Sequence, residues 1–283
     1  MTKFDYIAGS VVLYNPTDDV YDNIVSYSRQ VSKLYVVDNS IQRNRALVER
    51  LNELQNAIFL DQHGNKGIAA ALNVGANEAI KDGFKFLLTM DQDTGLEADY
   101  VAKLSGSLPL RRLVRTGIIA PRYTKKPNSN VEELEEVLIT MTSGNILNLS
   151  VFQQVGPFLE ELFIDHVDHE YCLRLNAKGF SVVQVNDVEI IHRPGTLTSV
   201  IGGRIKFASH SPQRLYYFCR NGFYVCNKYK KLFPAFTKHF ASVLTKEIAK
   251  VPFQESKWIR LEMIAFGYLD YKKNKLGKLE LRS

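Results

Sequence analysis

The sequence predicts an α/β protein with a mostly parallel central sheet, a mixed second half and a helical C-terminal tail. Three observations predict it. Over the first 120 residues, short Val-, Ile-, Leu- and Phe-rich runs alternate with amphipathic segments of crossover length. After residue 130 the strand-like runs come in pairs, and from Pro212 onward the pattern is helical and aromatic.

The parallel half is predicted from five runs, Tyr6 to Tyr14, Leu34 to Val37, Ala57 to Leu60, Phe86 to Met90 and Gly117 to Ala120. Each is rich in Val, Ile, Leu or Phe, as a strand covered on both faces requires, and each ends in polar or Gly/Pro residues. Between them, Val20 to Gln30, Arg45 to Gln55, Ile68 to Lys81 and Ala98 to Ser107 predict crossover helices. The mixed half is predicted from strands at Val137 to Met141, Ile146 to Leu149 and Ser181 to Ile191, with a helix around Glu170 to Lys178.

The chain has 283 residues, 45% of them hydrophobic and 11% aromatic, enough to bury a large core and to exclude a disordered protein. Its formal charge of +6 is unevenly spread. Residues 228–283 carry 13 Lys or Arg and 5 Asp or Glu, net +8, which leaves −2 for residues 1–227. A basic, aromatic end on a near-neutral body does not predict a nucleic-acid partner; it suits an anionic membrane surface. The aromatics there, Trp258, Phe266, Tyr268 and Tyr271 among them, suit a bilayer surface, packing on the preceding domain or a second subunit of a homo-oligomer, and composition alone does not choose.

Cys172, Cys219 and Cys226 form no CxxC and no Cys/His spacing, so neither a disulfide scaffold nor a zinc site is predicted and a reducing cytosol fits. The N-terminal apolar run is broken by Asp5, Gly9 and Asn15, and no run of 18 apolar residues occurs. Neither a signal peptide nor a membrane span is expected.

The strongest chemical feature is the run Phe86 to Thr94 (FLLTMDQDT), a buried strand ending in two carboxylates at i and i+2. In an open parallel sheet the ligand crevice lies outside the carboxyl ends of the strands, which puts Asp91 and Asp93 at its mouth. On extended backbone both could reach one hard cation such as Mg2+ or Mn2+, although such a pair also ends many strands as a solvated turn. Asp38 closes another strand, where Asp serves equally as an Asx turn. Asn65 and Gly67 precede the helix from Ile68, whose N-terminal amides would suit a phosphate or simply begin the helix. Neither GxGxxG nor GxxxxGK[ST] is present.

VVLYNP (Val11 to Pro16), VVDNS (Val36 to Ser40), NKGIAAALN (Asn65 to Asn73) and MDQDT follow one another at these intervals in a pattern that resembles the nucleotide-sugar-binding half of family 2 glycosyltransferases with the GT-A fold. The resemblance implies a GT-A domain over residues 1–227, with residues 1–120 binding the nucleotide sugar, 121–227 forming the acceptor half and 228–283 a basic helical tail. It implies that Asp38 accepts hydrogen bonds from the base and that Asp91 and Asp93 hold the ribose and the metal. Tyr14, Asn15, Asn65, Gly67, Ser143, Gly144 and Asn145 belong to the implied nucleotide-sugar site, and His192 stands where the family places a histidine near metal and diphosphate.

The second cluster, Phe163 to Arg174 (FIDHVDHEYCLR), packs three acids and two histidines into the start of an amphipathic helix. Helix capping alone accounts for one or two of the acids. In the resemblance this segment holds the acid that activates the acceptor. Val167 replaces the first acid of the family's pattern, Asp168 matches the second and Glu170 the last, so Asp168 is the implied base, with Asp165 as rival and Glu170 as support. The cluster, Ser143 to Asn145 and the run Ser211 to Asn221 together resemble the rhamnosyltransferase branch, and imply that Arg214, Tyr217, Arg220 and Asn221 shape a donor or acceptor sugar pocket.

The implied activity is inverting transfer of a sugar, L-rhamnose from a dTDP or UDP donor, to a hydroxyl of a cell-surface polysaccharide or lipid-linked glycan, at the cytoplasmic side of a membrane. Two rivals are weighed. A nucleotidyltransferase should carry a Gly-rich basic loop where this chain has Tyr14 to Thr17, and a non-catalytic carbohydrate-binding relative should have lost the acids that are present here.

Overall fold

A computed structural model of the chain describes residues 7–123, 132–190, 197–200, 205–208 and 211–280. These residues divide into two units, one of residues 1–158 and 171–192, the other of 159–170 and 193–283.

The first unit is built on an eight-stranded sheet. Its parallel half comprises β1 (Ile7–Leu13), β2 (Lys33–Asp38), β3 (Ala57–Asp61) and β4 (Phe86–Asp91), joined by α1 (Val20–Ser28), α2 (Arg45–Asn52) and α3 (Ile68–Lys81). The other half holds β5 (Thr116–Arg122), β6 (Leu134–Glu136), β7 (Asn145–Asn148) and β8 (Ser181–Glu189), and the strand order is β3-β2-β1-β4-β7-β5-β8-β6. β7 runs antiparallel to both β4 and β5, which makes the sheet mixed. Every residue of β1 is buried, as a central strand covered on both faces demands, and Val11, Leu13, Ile24, Leu34, Val36, Leu88 and Met90 meet in one core.

The predicted strands and crossover helices of the parallel half are all present, most within two residues of their expected ends. The mixed half differs in three places. The expected strand Val137 to Met141 lies earlier, at β6, where Glu135 and Glu136 are tolerated because β6 is an edge strand paired only with β8. Leu149 leaves β7 and opens an unpredicted helix, α6 (Leu149–Val155), because the Asn148 side chain caps it by accepting from the amides of Ser150 and Val151. A helix expected near Glu170 starts at Val167 (α7, Val167–Ala177), so Asp168 and Glu170 occupy its first turn. Short helices α4 (Tyr100–Gly106) and α5 (Leu110–Leu113) complete this unit.

The second unit contains a hairpin, β9 (Leu197–Val200) with β10 (Ile205–Ala208), where no element was expected, and three helices, α8 (Pro212–Tyr229), α9 (Pro234–Lys250) and α10 (Lys257–Lys272). Ser211 caps α8 by accepting from the Arg214 amide, with Pro212 in the first turn. The sequence reading divided the chain at residue 227 by charge, whereas contacts group α8 with α9 and α10. The cause is close packing: a Cβ on Gly267 of α10 would stand 2.5 Å from the Tyr216 carbonyl oxygen of α8, so only glycine allows this approach. Phe163, Tyr216 and Tyr217 form the core of this unit, with Ile164, Met263 and Leu279 against it.

Candidate active site

At the carboxyl ends of β1 and β4 the backbone leaves the sheet side by side. The Tyr14 amide donates to Gln92 Oε1 at 2.8 Å, and Gln92 Nε2 donates back to the Tyr14 carbonyl at 3.2 Å. Asn23 Nδ2 adds a hydrogen bond to the Gln92 carbonyl. The residue between the two acids thus ties β4 to β1, while Asp93 is exposed and Asp91 half-buried.

The β2 end is fastened in the same way. Asn15 takes a left-handed conformation (φ 43°), its amide donates to Ser40 Oγ, and its Oδ1 accepts from the amides of Ile41 and Gln42. Asp38 is buried. Its Oδ1 accepts from the Ser40 amide, the Asx turn that the sequence left open, and its Oδ2 accepts from Arg43 Nε at 3.0 Å. Arg43 also pairs with Asp61, and that guanidinium holds the Asp61 carboxyl below the usual range. Asn39 accepts from the Lys66 amide at 2.7 Å and donates to Asn65 Oδ1, which in turn accepts from the Gly67 amide, so the loop before α3 is tied to β2.

Ser143, Gly144 and Asn145 are buried beside β4. The Asp91 amide donates to Ser143 Oγ at 3.1 Å, and Gly144, left-handed at φ 82°, accepts from the Tyr100 hydroxyl, which a Cβ at this position would meet at 2.7 Å. Asn145 Oδ1 accepts from the Tyr123 hydroxyl. Ser143 therefore holds the Asp91 backbone, while Gly144, whose amide donates to the Thr89 carbonyl, and Asn145 fix the segment that carries Ser143.

The acids at the end of β4 fit a hard divalent cation. Asp91 is the last strand residue and Asp93 the second beyond it, and both raise the pKa of the Tyr27 phenol, whose shift is led by its burial. The Tyr27 hydroxyl is buried with no hydrogen-bond partner among the described residues, which leaves a polar atom facing this charge. Among the described residues no set of three His, Cys, Asp or Glu could hold a metal, and Asp91 and Asp93 are the carboxylates there that would offer oxygens to Mg2+ or Mn2+. His192 lies outside the described residues.

In the second unit, Phe163, Asp165 and His166 all take left-handed backbone conformations (φ 66°, 61° and 60°), a strained run immediately before α7. Two fully buried side chains of α8 hold it. Asn221 Nδ2 donates to the carbonyls of Leu162 and Ile164, both at 2.7 Å, and of Asp165 at 3.1 Å. Arg220 donates to the carbonyls of Glu161, Leu162 and Gly277. Tyr217 stacks on Phe163, and its hydroxyl accepts from the Leu279 amide. These three share one helix face, as their spacing predicts, but that face is buried against the loop; of the four residues expected at a sugar pocket, Arg214 alone stays exposed.

The three acids then differ in their partners. Asp165 accepts from Arg214 Nε at 3.1 Å, and Glu170, fully buried, accepts from Lys228 Nζ and the Tyr229 hydroxyl, both at 2.9 Å. Asp168 is half-buried, accepts from the His169 amide and makes no ion pair among the described residues. His166 sits among Phe218, Phe236 and Phe240 with His169 at its Nδ1. Sequence reasoning missed Gln92, Arg43 and His166, and the one signal available was Gln92's place between two acids.

A mixed sheet with this strand order and paired carboxylates at the end of β4 places the chain among the GT-A glycosyltransferases, and the chain belongs to them, in a rhamnosyltransferase-like branch. It is 30% identical over 236 residues to the dTDP-rhamnosyl transferase RfbF of Shigella flexneri, covering 77% of this chain and 79% of that one. No family model matches the chain. Solved structures share its fold, among them two with a bound nucleotide or nucleotide sugar. GalNAc-T7, solved with UDP, GalNAc and Mn2+, matches 97% of this chain at 12% identity and TM-score 0.61, and this chain spans 59% of its length. TarS 1-349 of S. aureus, in complex with UDP-GlcNAc, matches 95% of this chain at 13% identity and TM-score 0.57, and 81% of it is covered.

Proposed function

We propose that this glycosyltransferase transfers L-rhamnose from dTDP-rhamnose, with inversion, to a hydroxyl of a polysaccharide or lipid-linked glycan. The ends of β1, β2 and β4 receive the nucleotide diphosphate, with Asp91 and Asp93 as the residues that would hold Mg2+ or Mn2+. A cation bound there supplies charge compensation for the departing diphosphate. Asp168 accepts the proton of the acceptor hydroxyl as its oxygen attacks the anomeric carbon, and no covalent enzyme intermediate forms.

The observation that carries the choice of base is the difference among the three acids: Asp165 and Glu170 are each paired with a cation, and Asp168 pairs with none among the described residues. The donor is supported by the likeness to a dTDP-rhamnosyl transferase. A donor-hydrolysis panel tests it, with the purified chain, Mn2+ and thymidine, uridine and guanosine diphosphate sugars. dTDP-rhamnose should turn over fastest, and a clear preference for another nucleotide or sugar would overturn the donor assignment.

A further inference from the structure

We propose that the outward face of α10 is a docking surface for an anionic lipid bilayer. A helix on a protein surface ordinarily turns its apolar side inward. In α10 the inward side carries Arg260, Gly267 and Asp270, all buried, while the outward side carries Trp258 (74% exposed), Ile259 (50%), Leu261, Phe266 and Leu269 (50%). At 100° per residue Trp258, Leu261, Ala265 and Leu269 fall along one line, with Ile259 and Phe266 on its flank. They form a continuous apolar stripe with the single acid Glu262 in it. Stripes of this kind mark a surface that meets something.

Charge selects the occupant. Lys257 stands at the start of the helix and Lys272, Lys273 and Lys275 at its end, all exposed, within a segment of net +8. A second copy seated on this face would bring +8 against +8, whereas a plane of anionic headgroups complements it. An apolar stripe carrying Trp and Phe and ended by lysines is the arrangement of a helix lying in a membrane interface. The part of the tail that packs inward is a different set. Phe236 and Phe240 are buried, and Tyr271 stacks on Phe223 of α8. No helix among the described residues is long and apolar enough to cross a membrane, so the contact proposed is peripheral.

The test uses the full chain and the fact that Trp258 is its sole tryptophan. With vesicles of phosphatidylcholine and phosphatidylglycerol, the chain should co-sediment, and tryptophan emission should shift to the blue and be quenched by brominated lipid. Vesicles of phosphatidylcholine alone should bind about tenfold less, and raising salt should weaken the anionic case by a similar factor. Leu261→Glu with Leu269→Glu, both at exposed positions, should abolish vesicle binding and leave donor turnover in solution unchanged. A chain that ignores anionic vesicles at low salt overturns the proposal, as does binding that leaves tryptophan emission unmoved. A lipid-free dimer with blue-shifted emission that this double variant dissociates assigns the face to a second copy and also overturns it.

Discussion

Gln92 and Tyr14 exchange two hydrogen bonds across the carboxyl edge of the sheet, so the side chain standing between two acids serves to lock β4 to β1. The acids on either side are thereby aimed by a residue that need not touch the donor. Gln92→Leu removes both bonds and keeps the volume. It should raise the donor KM about tenfold, with kcat changed far less. Steady-state kinetics on the variant checks this, and an unchanged KM would show that the lock is dispensable.

Asp93→Ala should remove the effect of Mn2+ on nucleoside diphosphate affinity, because it deletes the more exposed of the two carboxylates offered to a cation. Calorimetric titration with and without Mn2+ makes the comparison. A metal effect as large as in the native chain would place the cation elsewhere.

Asp168→Asn preserves shape and removes the basic oxygen, so donor binding should persist while transfer falls about a thousandfold. Asp165→Asn is the control, since Asp165 is held by Arg214. If the Asp165 variant is the inactive one and the Asp168 variant transfers sugar normally, the base has been assigned to the wrong acid.

A place for Arg220 in a sugar pocket, which the resemblance implies, would make Arg220→Ala an activity variant, whereas its full burial makes it a stability variant. The guanidinium donates to three backbone carbonyls and to the Tyr216 hydroxyl, whose own pKa is pushed up to about 12 by burial and its bond to Asp270. Removing the side chain takes the guanidinium from the Gly277 carbonyl, a loss of about 1–3 kcal/mol, while the Glu161 and Leu162 carbonyls keep the Gly277 amide and Asn221 Nδ2 as donors. Thermal unfolding of Arg220→Ala should begin roughly 5–10 °C lower, with transfer falling alongside because the loop before Asp168 loosens. Native-like melting with lost transfer would mean that Arg220 acts on substrate.

His166 carries a pH dependence. Burial, followed by the charges of His169 and His239, drives its pKa well below the ordinary value. Below about pH 6.5 the unfolded chain takes up this proton and the folded chain does not, so stability declines as pH falls, by at most about 1.4 kcal/mol per unit for one site. His166→Phe, placed among Phe218, Phe236 and Phe240, should flatten the fall in melting temperature between pH 6.5 and 5. An identical slope in the variant would show that His166 does not generate it.

Locally encoded features were legible from the residues. β4 and its two acids announce themselves because a buried strand and its polar end occupy nine consecutive positions, and α3 begins at Ile68 where Gly67 predicts it. Asp168 stood out by the density of acids around it, although its helix begins three residues earlier than the pattern suggested. β6 was displaced because edge strands carry charges that hydrophobic periodicity does not recognise.

By itself the sequence determined the alternation of strands and helices, the carboxylates at the sheet edge and the basic tail, since each follows from the chemistry of neighbouring residues. Only tertiary structure decided what the polar side chains of α8 do. Arg220 meets the Glu161 carbonyl across 59 positions and Asn221 meets that of Asp165 across 56, and nothing in a helical repeat of aromatics and arginines tells which carbonyls stand opposite. The same holds for α10. Its composition has aromatics enough for either side, and burial of Arg260 and Asp270 inward leaves Trp258 and Leu269 turned to solvent, because a helix can offer only one face to its neighbour.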